Sequence, residues 1–91
     1  MFAVTCKDKP GHAQTRLDNR AAHLEHLKAH ADHVVLAGPL LDESRAAMVG
    51  SLLVLDFADR AALDAFLAAD PYAQAGLFDS VTVTPFRKVL P

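Results

Sequence analysis

Two short stretches of this chain carry side chains able to move protons at neutral pH: Arg20-Ala21-Ala22-His23 and Asp70-Pro71-Tyr72. A carboxylate set against one nitrogen of an imidazole fixes its tautomer and leaves the other nitrogen to take or give a proton. Asp70 ends an apolar-periodic helix, because the proline after it disfavours helical geometry at the residue before. His23 falls inside another amphipathic helix, beside its apolar stripe. Arg20, three residues earlier, is placed to hold an anionic substrate or to pair with Asp70. Tyr72 is placed to offer a hydroxyl to the same ligand or to cover the core with its ring.

The remaining reactive residue types form no second constellation. His12, His26, His30 and His33 lack the His-Glu-x-x-His pattern, since Glu25 precedes His26 instead of following it. They are read as a solvated helix flank, and no metal is expected. Ser51 has no nucleophile-elbow sequence around it, so it is assigned a substrate-contact role, not attack. Cys6 is alone and reads as a small buried hydrophobe. No glycine-rich phosphate loop occurs, and no cofactor is expected.

The elements that must position these residues follow from the hydropathy pattern. Met1 to Cys6 alternates as a first strand, and a helix runs from about Ala13 to Ala31 with Leu17, Ala21, Leu24, Leu27 or Lys28, and Ala31 as its buried stripe. His33 to Leu41 reads as the second strand, Asp42 to Arg45 as a polar turn, and Met48 to Phe57 as the third. Asp59 caps a second helix that buries Leu63, Phe66 and Leu67. Phe78 to Phe86 closes the order as a fourth strand. This β-α-β-β-α-β pattern predicts a ferredoxin-like α+β sandwich, one antiparallel sheet with both helices on one face. In that topology the end of the second helix and the first half of the first lie at the same edge of the sheet, which lets His23 and Asp70 meet. The third strand is apolar at every position of Leu52-Leu53-Val54-Leu55. Its open face, on which Leu53 or Val54 is expected, calls for a second copy and a homodimer.

The whole chain bounds the answer. Its 91 residues, 52% hydrophobic, make one domain, residues 1–91. No apolar run approaches a membrane span, and a formal charge of −2 without a basic run argues against nucleic acid as partner. A single cysteine and a strand-like start point to the cytoplasm.

Arg20-Ala21-Ala22-His23-Leu24, Ala37-Gly38-Pro39, Gly50-Ser51, Ala69-Asp70-Pro71-Tyr72, Ala75-Gly76 and Val83-Thr84-Pro85-Phe86-Arg87-Lys88-Val89 occur in an order that resembles the YciI-related (YCII) family. The resemblance covers nearly the full chain. It implies a ferredoxin-like fold, dimers paired through their sheets (dimeric α/β barrel type), and a histidine/aspartate-centred site that maps to His23 and Asp70. It also brings a lyase-like removal of halide from a ring as one activity of the family. Two departures stand out. Ala21 takes the place of a proline in many members, and the turn between the second and third strands is shorter, which reshapes one wall of the pocket. The expected function is a cofactor-independent lyase or isomerase for a small polar or aromatic metabolite. His23 is its acid/base, Asp70 its orienter, and Arg20, Tyr72 and Ser51 its substrate contacts. The alternative is a small-molecule-binding or accessory protein that uses the same pocket without turnover. Cofactor-less oxygenase chemistry is a third reading, suggested only by dimer architecture.

Overall fold

The computed structural model describes all 91 residues. The strands are β1 (Phe2–Asp8), β2 (Val34–Leu41), β3 (Met48–Leu55) and β4 (Phe78–Pro85). The helices are α1 (Ala13–Ala29), α2 (Arg60–Ala69) and the single turn α3 (Pro71–Gln74). A short 3₁₀ turn over Ala31–His33 separates α1 from β2, so α1 stops two residues before the expected Ala31. The sheet is antiparallel throughout with strand order β2-β3-β1-β4, the ferredoxin-like arrangement.

Register decides which residues face the helices. Val4 pairs with Leu53 and Cys6 with Ser51 across β1 and β3, and Val83 pairs with Val4 from β4. With Leu55, Phe57, Leu63 and Phe66, these residues Val4, Cys6 and Leu53 make the buried core under α2. Strand period then sends Leu52 and Val54 to the other face. Leu53 therefore lies in the core and not on the open face where sequence had it; Val54 does lie on that face. The open face carries partly uncovered apolar side chains, Leu36 at 49% and Leu52 at 36% exposure. Gly50 is required by close approach, because a Cβ there would run into the Cys6 carbonyl oxygen of the neighbouring strand.

The helix ends follow local chemistry. Asp59 accepts a hydrogen bond from the Ala62 N–H at 2.8 Å and starts α2. Asp70 has extended backbone (φ −64°, ψ 127°), as a residue before proline should. It ends α2 and, with Pro71 at the first helical position, starts α3.

α1 differs from the pattern read in the sequence. Leu17 is 57% exposed and Ala21 is exposed, while Arg16 and His23 are the buried residues of the helix. The inner face is shifted toward Arg16 and His23, while Leu24 and Leu27 of the expected stripe stay half-buried on it. The cause is polar: Arg16, His23 and His26 each find a partner beneath the helix, and those bonds set its rotation.

Candidate active site

His23 and Asp70 are in contact. His23 Nδ1 lies 2.9 Å from both Oδ1 and Oδ2 of Asp70, and both residues are buried. A carboxylate only accepts, so Nδ1 carries the proton and Nε2 of the neutral ring keeps its lone pair. Oδ1 of Asp70 also accepts the Tyr72 N–H at 2.9 Å, which ties the carboxylate to the first turn of α3. The Tyr72 ring stacks on the imidazole with centroids 4.0 Å apart and planes 14° from parallel. His23 is thereby fixed in tautomer by one neighbour and in ring plane by the other.

The same tyrosine ring takes the guanidinium of Arg16, whose central carbon sits 4.7 Å from its centre. Arg16 is 3% exposed. Its Nε and Nη2 donate to the two oxygens of Asp8 at 2.7 and 2.9 Å, and Nη2 donates also to Ser51 Oγ at 2.9 Å. Burial opposes charge on Arg16, but the bonds and charge of Asp8 outweigh it and its pKa lies above the ordinary arginine value. Burial also raises the Tyr72 hydroxyl, against the pull of Arg16 and Arg20, so the phenol stays protonated at neutral pH.

These groups border a cavity of about 180 Å³ between α1 and the β2–β3 side of the sheet. Leu24, Leu27, Pro39 and Met48 give it apolar walls, and Arg16, Arg20, His23, Ser51 and Tyr72 give it polar ones. Nε2 of His23 makes no hydrogen bond within the chain and is not sealed from the cavity. A cavity of roughly 150 Å³ accepts benzene, so this one has room for a small substituted ring.

All five residues singled out from sequence line this cavity or hold it together, but not all as expected. Arg20 is exposed at the mouth and makes no ion pair with Asp70, whose oxygens are taken by His23 and Tyr72. Tyr72 acts through its ring. Ser51 faces the helices at the cavity floor and is held by Arg16. Arg16 itself was missed. Its signal was available, since it precedes His23 by seven residues and shares its helix face.

The other histidines do not form a solvated flank. His26 stacks on Phe66 at 4.5 Å and its Nε2 donates to the Phe66 carbonyl. His30 Nδ1 donates to the His26 carbonyl, His33 Nδ1 to Asp56, and His12 Nδ1 to Pro10. No three His, Cys, Asp or Glu side chains come together in a metal-ligating group. Cys6 is buried and its thiol is pushed up to about 12 by burial, with Asp70 and Asp8 adding to the effect, so it is not a nucleophile.

The chain is thus a ferredoxin-like α+β domain with a ring-sized cavity walled by a histidine and a buried arginine, with the aspartate that holds the histidine behind that wall. The chain belongs to the YCII-related family: the profile of the YCII-related domain matches residues 1–87. It is 33% identical over 96 residues to the protein YciI of Escherichia coli O6:H1, covering 98% of each chain. It is also similar to the solved structure of 5-chloro-2-hydroxyhydroquinone dehydrochlorinase (TftG) from Burkholderia phenoliruptrix AC1100, in complex with 2,5-dihydroxybenzoquinone. That match has 32% identity and a TM-score of 0.88, and it covers 94% of this chain and 92% of the other. A solved antibiotic biosynthesis monooxygenase, 18% identical, with a TM-score of 0.56 over 99% of this chain and 100% of its own, shares the fold alone. The family therefore includes an enzyme that processes a small ring compound. No helix is long and apolar enough to cross a membrane.

Proposed function

We propose that this protein is a cofactor-independent lyase that removes hydrogen halide from a small hydroxylated ring, with His23 as acid/base and Asp70 as its orienter. The observation that carries the reading is the Nδ1 contact of His23 with both oxygens of Asp70, 2.9 Å each, which leaves Nε2 as the basic nitrogen at the cavity. The TftG likeness supports the substrate class.

The chemistry balances without an oxidant. A ring hydroxyl gives its proton to Nε2, and the freed pair becomes a carbonyl. The imidazolium returns the proton to the ring carbon that bears the halogen. Halide then departs with its bonding pair while a second hydroxyl, conjugated to that carbon, gives its proton to Nε2, which passes it to water. A hydroquinone has become a quinone, and one proton and one halide have left. Stopped after the second step, the same residues perform an isomerisation.

A second copy packed on the open sheet face, covering Leu36 and Leu52, completes the proposed assembly. The single buried cysteine is consistent with a cytoplasmic setting.

The test is chloride release from 5-chloro-2-hydroxyhydroquinone by the wild type and by His23→Ala. Loss of a positioned acid/base costs roughly 10²- to 10⁴-fold in kcat. His23→Ala should show that loss while the ring still raises its melting temperature. Equal chloride release by both proteins would sink the assignment. A wild type stabilised by the ring without chloride release would mark a binding protein instead.

A further inference from the structure

Three features of the cavity wall bear on what kind of ring it takes. The first is the state of Arg16. Asp8 and Ser51 occupy Nε and Nη2, so the guanidinium is locked in place with the Tyr72 hydroxyl as a further neighbour, yet Nη1 makes no direct hydrogen bond in the chain and is not sealed off. A planar cation with two arms fixed and one left over is a preorganised donor for an oxygen. The second is Arg20 at the mouth, exposed and with no ion pair. The third is sign: no carboxylate lines the cavity, because Asp8 and Asp70 are both turned to their own partners behind its wall.

Arg16 and His23 approach the same Tyr72 ring, at 4.7 and 4.0 Å from its centre. Both also line the one cavity, where a small ring would meet them together. Leu24, Leu27, Pro39 and Met48 supply flat apolar contact and no polar group. A cation would meet two arginines and no carboxylate here, and a compact tetrahedral anion would leave the apolar walls unfilled.

We infer that the cavity selects an acidic ring, bound as its oxyanion, with the charged oxygen received by Nη1 of Arg16 and drawn in by Arg20, and another ring oxygen at Nε2 of His23. This rests on the reading of His23 as the ring-facing base and narrows its substrate class from any hydroxylated ring to one that enters ionised. Arg16 is thus a substrate-binding residue, and Asp8 the residue that positions it. Binding in a partly desolvated site makes the charge-assisted bond strong, and a neutral ring of the same shape would leave Nη1 without a partner.

Titration calorimetry on the intact protein tests this with two rings of like size. One is 2,5-dihydroxybenzoquinone, a vinylogous acid that is anionic at pH 7; the other is 2,5-dimethylbenzoquinone, which is neutral. The anion should bind roughly 10- to 100-fold more tightly to the wild type. Its affinity should fall as pH drops through the ring's own ionisation, a measurement that needs no variant. Arg20→Gln, an exposed change, should weaken the anion several-fold and leave the neutral ring alone. Replacing Arg16 alone would strand Asp8, so the pair is changed together as Asp8→Asn with Arg16→Gln, and there the preference should shrink towards one. Equal or tighter binding of the neutral ring by the wild type overturns the inference. So does no measurable binding of the anion, or a preference that survives both sets of substitutions. Turnover is not read in these experiments. Anion selectivity without chloride release would leave this inference standing and remove the lyase reading, and chloride release without anion selectivity would do the reverse.

Discussion

Asp70→Asn is the sharpest single perturbation of the site, because it preserves shape and changes only what the side chain can accept. Wild-type Asp70 receives three contacts: Nδ1–H of His23 on both oxygens and the Tyr72 N–H on Oδ1. An asparagine oxygen can keep the Tyr72 N–H, but its amide group then faces Nδ1 of His23 with a donor. The imidazole must move its proton to Nε2 so that Nδ1 accepts. A charge-assisted bond is exchanged for a neutral one, a loss of about 1 kcal/mol, which lowers Tm by roughly 4–8 °C in a domain of this size. The functional loss is far larger than the structural one. With its proton on Nε2 the ring no longer presents a base to the cavity, and kcat should fall by roughly 10²- to 10⁴-fold. Long-range proton–nitrogen NMR correlations assign the tautomer in each protein, and thermal denaturation gives the stability. If Nε2 remains unprotonated in the variant and Tm does not change, the carboxylate does not set the tautomer and the argument for the pair fails.

Two further expectations follow from burial and register. The Cys6 thiol, held at about 12 in the folded chain against 9.0 when free, keeps a proton that the unfolded chain sheds once the pH passes 9. Stability should therefore be unaffected below pH 9 and fall above it by about 1.4 kcal/mol per pH unit. Urea denaturation of wild type and Cys6→Ala from pH 7 to 10.5 should show the gap between them closing in the alkaline range, and parallel curves would refute the assignment. Leu52→Asp, on the open sheet face, should leave a folded monomer where the wild type sediments as a dimer, whereas Leu53→Asp, in the core, should not fold. A monomeric wild type at micromolar concentration would end the case for pairing through the sheet.

The strand order was legible because each strand carries its own hydropathy pattern and the breaks around α2 their own chemistry: Asp59 as a cap, Pro71 as a stop. The meeting of His23 and Asp70 was legible too, since the topology alone brings their elements to one end. The inner face of α1 was not. Hydropathy finds the side of a helix that avoids water, and on α1 that is the side bearing Leu17 and Ala21, which the sheet does not cover. The face that docks is chosen by Asp8, Asp70 and the Phe66 carbonyl, partners 8, 47 and 40 residues away along the chain. No local pattern announces a partner at such separation. Arg16 was lost although it lies two turns before His23 on the same face, and Arg20, one turn along and equally basic, was read in its place. α3 was missed because four residues are too few to show a period.

A helix that docks by its polar side is assembled on different terms from one that buries leucines. Apolar contact rewards mere nearness, whereas the bonds of Arg16, His23 and His26 are worth little until angle and distance are both right. Collapse around Val4, Leu53, Leu55, Leu63 and Phe66 can proceed largely without α1, which packs only Leu27 on that cluster and whose buried polar bonds need the sheet and the Asp70 junction in their final places. The order of assembly is then core first and α1 last, and the order of opening is its reverse. Backbone amides of α1 should exchange with solvent faster than those of β1 and β3, and equal rates would argue against this order. On the proposed function, a ring could enter and leave by the slackening of this one helix, with the core left intact. The chain has placed its chemistry on the element that it can loosen without unfolding.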